Sequence, residues 1–322
     1  MTQQEILSSN LTKTNKMLAL FELGLTRREV ATLLGVGYGF VQNVYARRYG
    51  VLRTRTAALQ PSEIGTSEAT PWSFTRKFGV EIEAFGCSRN TLERLLSEAG
   101  ISVETQDYNH RTASCWKLVT DASICGTEAF ELVSPPMVGE AGLEELRKVC
   151  AVLKEAGIKV NKSCGLHIHF DAQDLNLETW KNLFFNYAAF EPKIDAMLPE
   201  SRRGANNHFC QSIKQIRTLN RKISLSTDLR SLTNNIAGTS RYFKLNIQSY
   251  WRHQTVEFRQ HSGTIEFEKI SNWIKIGAQM IDFSRAQRAR TGSDAEFRAM
   301  LQPEQFTYAQ QRTEKFARAT QG

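Results

Sequence analysis

Two patterns of apolar and polar positions divide the chain. From Lys16 to Arg48 the apolar positions recur at helical spacing and break in two places. Met17, Leu18, Leu20 and Phe21 predict one helix ending near Gly24. Thr26 and Glu29 then form a Thr-x-x-Glu capping box, in which each side chain satisfies a backbone N–H of the other. The helix they start runs through Val30, Leu33 and Leu34 and stops at Gly35, and a third follows with Val41, Val44 and Tyr45 inward. Residues 52–75 mix Thr, Ser, Ala, Gly and Pro without a sustained period and predict a linker. Beyond it, short alternating runs take turns with amphipathic segments. Phe78–Phe85, Trp116–Asp121, Phe130–Pro136, Lys159–Val160 with Gly165–Phe170, Thr255–Arg259 and Thr264–Phe267 read as strands. Helices over 92–99, 142–155, 177–190 and 271–289 would cover one face of their sheet. The expected organisation is a small all-α domain at 1–51, a linker at 52–75, an α+β body at 76–290 and a basic tail at 291–322. That tail is expected to hold a short helix and a loose end.

In the first domain Ala31, Gly35 and Val41 have the spacing of a helix-turn-helix: a small residue for close approach, a turn glycine and an apolar anchor. In that geometry Tyr38, Gln42 and Asn43 face the major groove of DNA, and Arg47 and Arg48 reach phosphates. The same residues also suit a helical docking module with solvated charges. Net charge sharpens the choice. The chain carries +8, and residues 1–60 hold eight basic and three acidic side chains, residues 285–322 seven and four. The middle is balanced, so the ends would meet a polyanion, unless these surpluses are only solvated surface. One half-site binds weakly, and a homo-oligomer or a second basic element would help it.

With 322 residues, 41% of them hydrophobic and 23% charged, the chain is long enough for a small domain and a large one. Eighteen Phe and five Trp rule out disorder for most of it. No apolar run approaches the roughly 18 residues of a membrane helix. The opening Met-Thr-Gln-Gln-Glu lacks the regions of a signal peptide. Six cysteines without a Cys-x-x-Cys pair read as buried free thiols. The expectation is a cytoplasmic protein.

The body's strands carry the chemistry. Glu81 and Glu83 share one face of their strand, and Glu131 sits in another apolar strand. His167 and His169 stand at a chelating i, i+2 spacing, Glu257 and Arg259 share a face, and Glu266 adds a further acid. Each pair alone more often marks a solvated face or a core histidine. Their recurrence does not, because burying so many uncompensated carboxylates is prohibitive; a shared, cation-filled cleft resolves it. Oxygen-rich sites with an imidazole suit Mg²⁺ or Mn²⁺, and an arginine among them suits a phosphate. No phosphate-binding glycine loop is present, so a nucleotide would be held by metals and Arg. Arg202, Arg203, Asn206 and Asn207 form a basic, polar loop that either grips a carboxylate or is ordinary surface. Arg241 and Asn246 precede the Glu257 strand and could line the same cleft. Cys164 and Cys210 invite a nucleophile reading, but Cys164 has no base partner nearby in sequence.

Gly79-Val-Glu-Ile-Glu83, Thr120-Asp-Ala-Ser-Ile124 with Phe130-Glu-Leu-Val-Ser-Pro-Pro136, Cys164-Gly-Leu-His-Ile-His169 and Thr255-Val-Glu-Phe-Arg259 occur in that order. The set resembles the amidoligase family, a branch of the carboxylate–amine ligases that includes glutamate–cysteine ligase and glutamine synthetase. The resemblance covers roughly residues 76–285 and leaves the helix-turn-helix outside. Ala122 stands where relatives would be expected to carry a glycine. It implies a curved antiparallel sheet backed by helices. It also implies a reaction in which ATP phosphorylates a substrate carboxylate and an amine attacks the acyl phosphate. By motif position, Glu81, Glu83, Asp121, Glu131, His167 and Glu257 would hold two or three divalent ions around the phosphates. Arg259, with Glu83 and Glu257, would be catalytic, the arginine neutralising the transferred group; His169 is a further ligand, a hydrogen-bonding neighbour or a core residue. Arg202, Arg203, Asn207, Arg241 and Asn246 are the substrate-binding candidates, for an amino acid, a peptide or a modified base. The alternative is a DNA-binding regulator whose ligase-like domain binds a nucleotide or metabolite without turnover.

Overall fold

A computed structural model describes residues 2–49, 72–107, 109, 111–204 and 207–319. Contacts divide the chain into two units, residues 1–70 and 71–322. In the first, α1 (Gln3–Ser8), α2 (Lys13–Glu22), α3 (Arg27–Leu34) and α4 (Tyr38–Tyr49) surround a core of Ile6, Met17, Leu20, Phe21, Val30, Val41 and Val44. The expected capping box is present in both directions: Thr26 accepts from the Glu29 N–H, and the Glu29 carboxylate accepts from the Thr26 N–H at 2.7 Å. Gly35 ends α3 at φ +59°, a left-handed conformation that favours glycine. α1 is an addition, for its single apolar turn is too short to show a period. Thr26→Ala will therefore cost this unit about 1 kcal/mol, read as faster amide exchange in α3; unchanged exchange would contradict the cap's role.

The second unit runs β1 (Lys77–Ala84), α5 (Arg89–Glu98), β2 (Val103–Thr105), β3 (Trp116–Val119), β4 (Phe130–Val133), β5 (Met137–Val138), α6 (Gly139–Glu155) and β6 (Gly165–Asp171). It continues α7 (Leu177–Ala196), α8 (Leu219–Leu225), α9 (Leu229–Ile236), β7 (Leu245–Asn246), α10 (Ser249–His253), β8 (Thr255–Ser262), α11 (Phe267–Ala286), α12 (Asp294–Met300) and α13 (Pro303–Ala319). The strands form one sheet in the order β2-β3-β4-β1-β6-β8-β7, with β5 beside β1. All pairs are antiparallel except β2 with β3. One face is apolar. Val80, Ile82, Leu132, Leu166, Ile168, Phe170, Val256 and Phe258 are buried in a single core with residues of α5, α6, α7 and α11. Gly277 lets α11 lie close to the sheet, since a Cβ there would fall 2.7 Å from the Phe170 ring. No helix among the described residues is long and apolar enough to cross a membrane.

Three expectations are corrected. Thr264–Phe267 alternates like a strand, but Thr264 Oγ1 accepts the Glu266 N–H at 3.1 Å and Glu266 becomes the cap of α11. Its carboxylate is 61% exposed and pairs with Lys269, away from the acidic face. The short helix expected in the tail is present as α12, but the loose end expected beyond it is a second helix, α13, which buries Gln305, Tyr308, Ala309 and Arg312. All six cysteines are free, yet Cys125 is exposed and Cys87 half-buried rather than core.

Candidate active site

The other sheet face is polar, and the strand register arranges it in rows. Side chains directly opposite one another across an antiparallel pair project from the same face. In one row Val119, Glu131 and Glu83 are partners across β3, β4 and β1. In the next stand Lys117, Val133, Glu81 and His167. The third runs Gly79, His169, Glu257 and Asn246. A bulge in β8 between Phe258 and His261 sets two residues against His167; Arg259 remains on the polar face while Gln260 turns under the sheet. Asp121 lies in the turn after β3 rather than on the strand, where its Oδ1 accepts from the Ser123 N–H at 2.7 Å.

These groups converge. His167 Nδ1 lies 3.0 Å from Glu81 Oε2, and His169 Nε2 lies 3.2 Å from Glu81 Oε1. Glu83 accepts from the Gly165 N–H at 2.6 Å, and its other oxygen is 3.6 Å from His167 Nε2. Gly165 leaves room for this, because a Cβ there would stand 2.9 Å from His167 Nε2. Asn246 donates to Glu257 Oε2 at 2.7 Å, and Arg259 pairs with Glu257 Oε1. Three sets of ligand atoms lie within 4.8 Å of one another: Glu81–His169–Glu257, Glu81–Glu131–His167 and Glu83–Asp121–Glu131. His169, whose role the motifs left open, therefore stands among the groups placed closely enough to share a cation.

Charge shapes the titration of the cluster. Burial raises the Glu131 carboxyl, and the negative charges of Glu81, Glu83 and Asp121 lift it further, well above the usual carboxylate range. Burial also works against ionised Glu81, but the charge of His169 and a hydrogen bond from His167 outweigh it and hold Glu81 well below that range. Glu257 is lowered too, burial being overcome by Arg259 and His169. Cys164 is an unsuitable nucleophile, since burial pushes its thiol up.

The cleft over this face measures about 1300 Å³ and is lined by the acidic cluster, Arg202, Asn207, Arg241, Asn246 and Arg259. Arg202 is buried, with its guanidinium donating to the Cys164 carbonyl. Asn207 lines the rim, and its side chain donates to the Ser201 carbonyl at 3.2 Å. Arg241 lies over the Tyr242 ring, 5.4 Å from its centroid. Arg203 is not brought there; its Nε donates to the Leu198 carbonyl at 2.8 Å and its guanidinium lies over Phe316. Asn206 is outside the described residues. In the first unit Tyr38 and Asn43 are exposed on α4, whereas Gln42 accepts from Arg27 at 2.6 Å. The side chains of Arg47 and Arg48 lie outside the described residues.

Residue-by-residue reading missed Lys117, which shares the polar face with Val119 and Glu131, and the cleft's aromatic rim of Phe209, Tyr242 and Trp251. The period-2 alternation of Trp-Lys-Leu-Val was the available signal for Lys117.

A family model described as "Putative amidoligase enzyme" matches residues 74–281. The chain belongs to the amidoligase family. The match spans β1 through most of α11, so every strand of the sheet and every residue of the acidic cluster falls inside it. No curated protein matches the chain. The family's name is that of a ligase, and the amidoligase match ends before α12 and begins after the first unit.

Proposed function

We propose that this chain is an ATP-dependent carboxylate–amine ligase. The γ-phosphoryl group of ATP passes to an oxygen of a substrate carboxylate, releasing ADP; an amine then attacks the acyl carbon, phosphate leaves and the amine loses a proton. The observation that carries this reading is the convergence of five carboxylates, two imidazoles and Arg259 on one sheet face within an amidoligase fold region.

The donor set fits hard divalent cations such as Mg²⁺ or Mn²⁺: carboxylate oxygens dominate, with one imidazole in each of two clusters. His169 Nε2 strengthens the fit, for it is buried 3.2 Å from Glu81 Oε1 without hydrogen-bond alignment. Ligands of a shared cation face one another in this way, oriented toward a common point rather than toward each other. Glu81, Glu83, Asp121, Glu131, His167, His169 and Glu257 would hold the ions, which supply charge neutralisation for the phosphates. The remaining residues orient and balance. Asn246 fixes Glu257, Glu257 fixes Arg259, and Arg259 faces the negative charge of the transferred group. Thr255 accepts or donates at 2.9 Å with His169 Nδ1, which sets that ring's orientation.

Cation binding will release protons, since Glu131 titrates well above the usual carboxylate range and must ionise to serve as a ligand. Mn²⁺ affinity will consequently rise with pH. Calorimetric titration in buffers of different ionisation enthalpy measures this; heats independent of the buffer would contradict it. Mn²⁺ with a non-hydrolysable ATP analogue should also raise the melting temperature of the body, and no rise would remove the enzyme reading.

We further propose that the first unit binds DNA through α4. Support comes from the Gly35 turn between α3 and α4, buried Val41, exposed Tyr38 and Asn43, and the local basic surplus. Gln42 would have to exchange Arg27 for a base. Fluorescence anisotropy with duplex DNA should show affinity that falls steeply with salt; absence of binding at low salt would return this unit to a docking role.

A further inference from the structure

A second, smaller chamber opens beside the acidic cluster. It measures about 230 Å³, shares Glu81, Glu131, His169 and His253 with the large cleft, and extends over Gly79 and Val133. The row register explains the space. Between Lys117 and Glu81 the sheet carries only Val133, and beside His169 it carries Gly79, so two positions of the polar face lack a long side chain. Across this hollow Lys117 stands on one side, Glu81 and His169 on the other.

Lys117 is out of place for a structural cation. Its side chain is buried, the residue being 3% exposed. Its ammonium donates to the Arg111 carbonyl at 2.7 Å and to Asn109 Oδ1 at 3.3 Å, both neutral oxygens. Among the described residues no carboxylate lies within 4.0 Å of it, whereas the comparably buried Lys244 has two. An ammonium has three donors, so one is left over; burial works against its charge, which Glu131 and Glu81 offset only from beyond 4.0 Å. An anion entering the chamber could take the third donor directly.

We infer that the small chamber receives a free, carboxylate-bearing substrate of amino-acid size, and that Lys117 anchors one carboxylate of it. At about 230 Å³ the chamber is the smaller of the two spaces, and the neighbouring cleft of about 1300 Å³ has more room for a nucleotide, beside the flat rings of Phe209, Tyr242 and Trp251. The anchored molecule would reach from Lys117 to the Glu81–His169 edge, where the chamber meets the large cleft. Lys77 and Arg111 join Lys117 around the chamber and balance Glu81, Glu131 and Asp171, so an anion is drawn to the Lys117 end, away from the Glu81 edge. This assignment rests on the ligase reading for what happens to the substrate, but not for its binding.

The experiment separates the two. Full-length protein, Lys117→Met and Val133→Phe are titrated, without nucleotide, with glutarate and each free amino acid; Mn²⁺ with a non-hydrolysable ATP analogue is titrated in parallel. At least one carboxylate should bind the wild type. Lys117→Met should weaken it about 10- to 100-fold, the range of a lost hydrogen bond to a charged group, with nucleotide affinity changed less than about twofold. Val133→Phe fills the chamber without touching the charge and should block the same ligand, which keeps the test standing if Lys117→Met fails to fold. Equal carboxylate binding by wild type and variants overturns the assignment, as does failure of every carboxylate to bind. Lys117-dependent binding without ADP formation would sink the ligase reading alone. ADP formation indifferent to Lys117 and Val133 would sink the chamber alone.

Discussion

Glu81→Gln will abolish substrate-dependent ADP release while leaving the protein folded. Glu81 belongs to two of the three candidate ligand clusters, Glu81–His169–Glu257 and Glu81–Glu131–His167, as Glu131 belongs to the second and third. Both of its oxygens are engaged, one toward each histidine. Glutamine keeps the shape but removes the charge and turns an NH₂ group toward an imidazole. Losing a ligand from two cation sites removes several kcal/mol of charge stabilisation in the transition state, and about 4 kcal/mol corresponds to roughly a thousandfold in rate. The fold should not suffer, because Glu81 adds repulsion to Glu131 in the cation-free protein. Mn²⁺ titration should show fewer ions bound per chain. Activity and Mn²⁺ binding within about tenfold of wild type would mean that the cluster is not the metal centre.

Lys244→Met will destabilise the second unit by about 3–5 kcal/mol. Lys244 is fully buried and donates to Glu191 at 2.8 Å and to Asp195 at 2.6 Å. Methionine fills the volume but leaves two carboxylates without their cation, one of them Glu191, whose second oxygen already has no partner. At roughly 2–4 °C per kcal/mol for a domain of this size, the melting temperature should fall by about 6–20 °C. Activity should fall as well, for a structural reason. Asp195 also accepts from the Gly204 N–H at 2.9 Å and from Gln260, and Gln260 donates to the Arg202 carbonyl at 3.2 Å. The network thus holds the segment that presents Arg202 and Asn207 to the cleft. Lys244→Met with Glu191→Gln should recover part of the stability, since one stranded charge is gone. A melting temperature within about 3 °C of wild type would show that water or rearrangement compensates and that the network is not a keystone.

The Lys244 network also illustrates what the sequence could not disclose. Lys244 lies 53 residues from Glu191 and 49 from Asp195, and nothing in the period of α7 distinguishes buried Glu191 from a solvated one. Local signals fared better. The Thr26–Glu29 box and Gly35 are stated within a few residues and reappear as cap and turn. Alternation in Phe78–Phe85 put Glu81 with Glu83 on one strand face, and that in Gly165–Phe170 put His167 with His169 on another; the structure keeps both pairs and brings them to the same sheet face. Register was beyond reach: that Glu83 stands opposite Glu131, and His169 opposite Glu257, is decided by pairings across long sequence separations. Glu266 went astray because a short alternating run looks alike in a strand and in a helix entry, and the Thr264 hydroxyl decided between them. Arg203 follows Arg202 in sequence, but consecutive side chains diverge; one enters the cleft and the other crosses Phe316.

The most direct test of the account is ADP release by the full-length protein with ATP and Mg²⁺ or Mn²⁺, offered pooled amino acids, peptides and DNA. The account predicts ADP and phosphate in equal amounts, together with a new amide, only when a carboxylate and an amine are both present, and none of these from Glu81→Gln. ADP formed without any acceptor, or no ADP from any pool while nucleotide still binds, would contradict it.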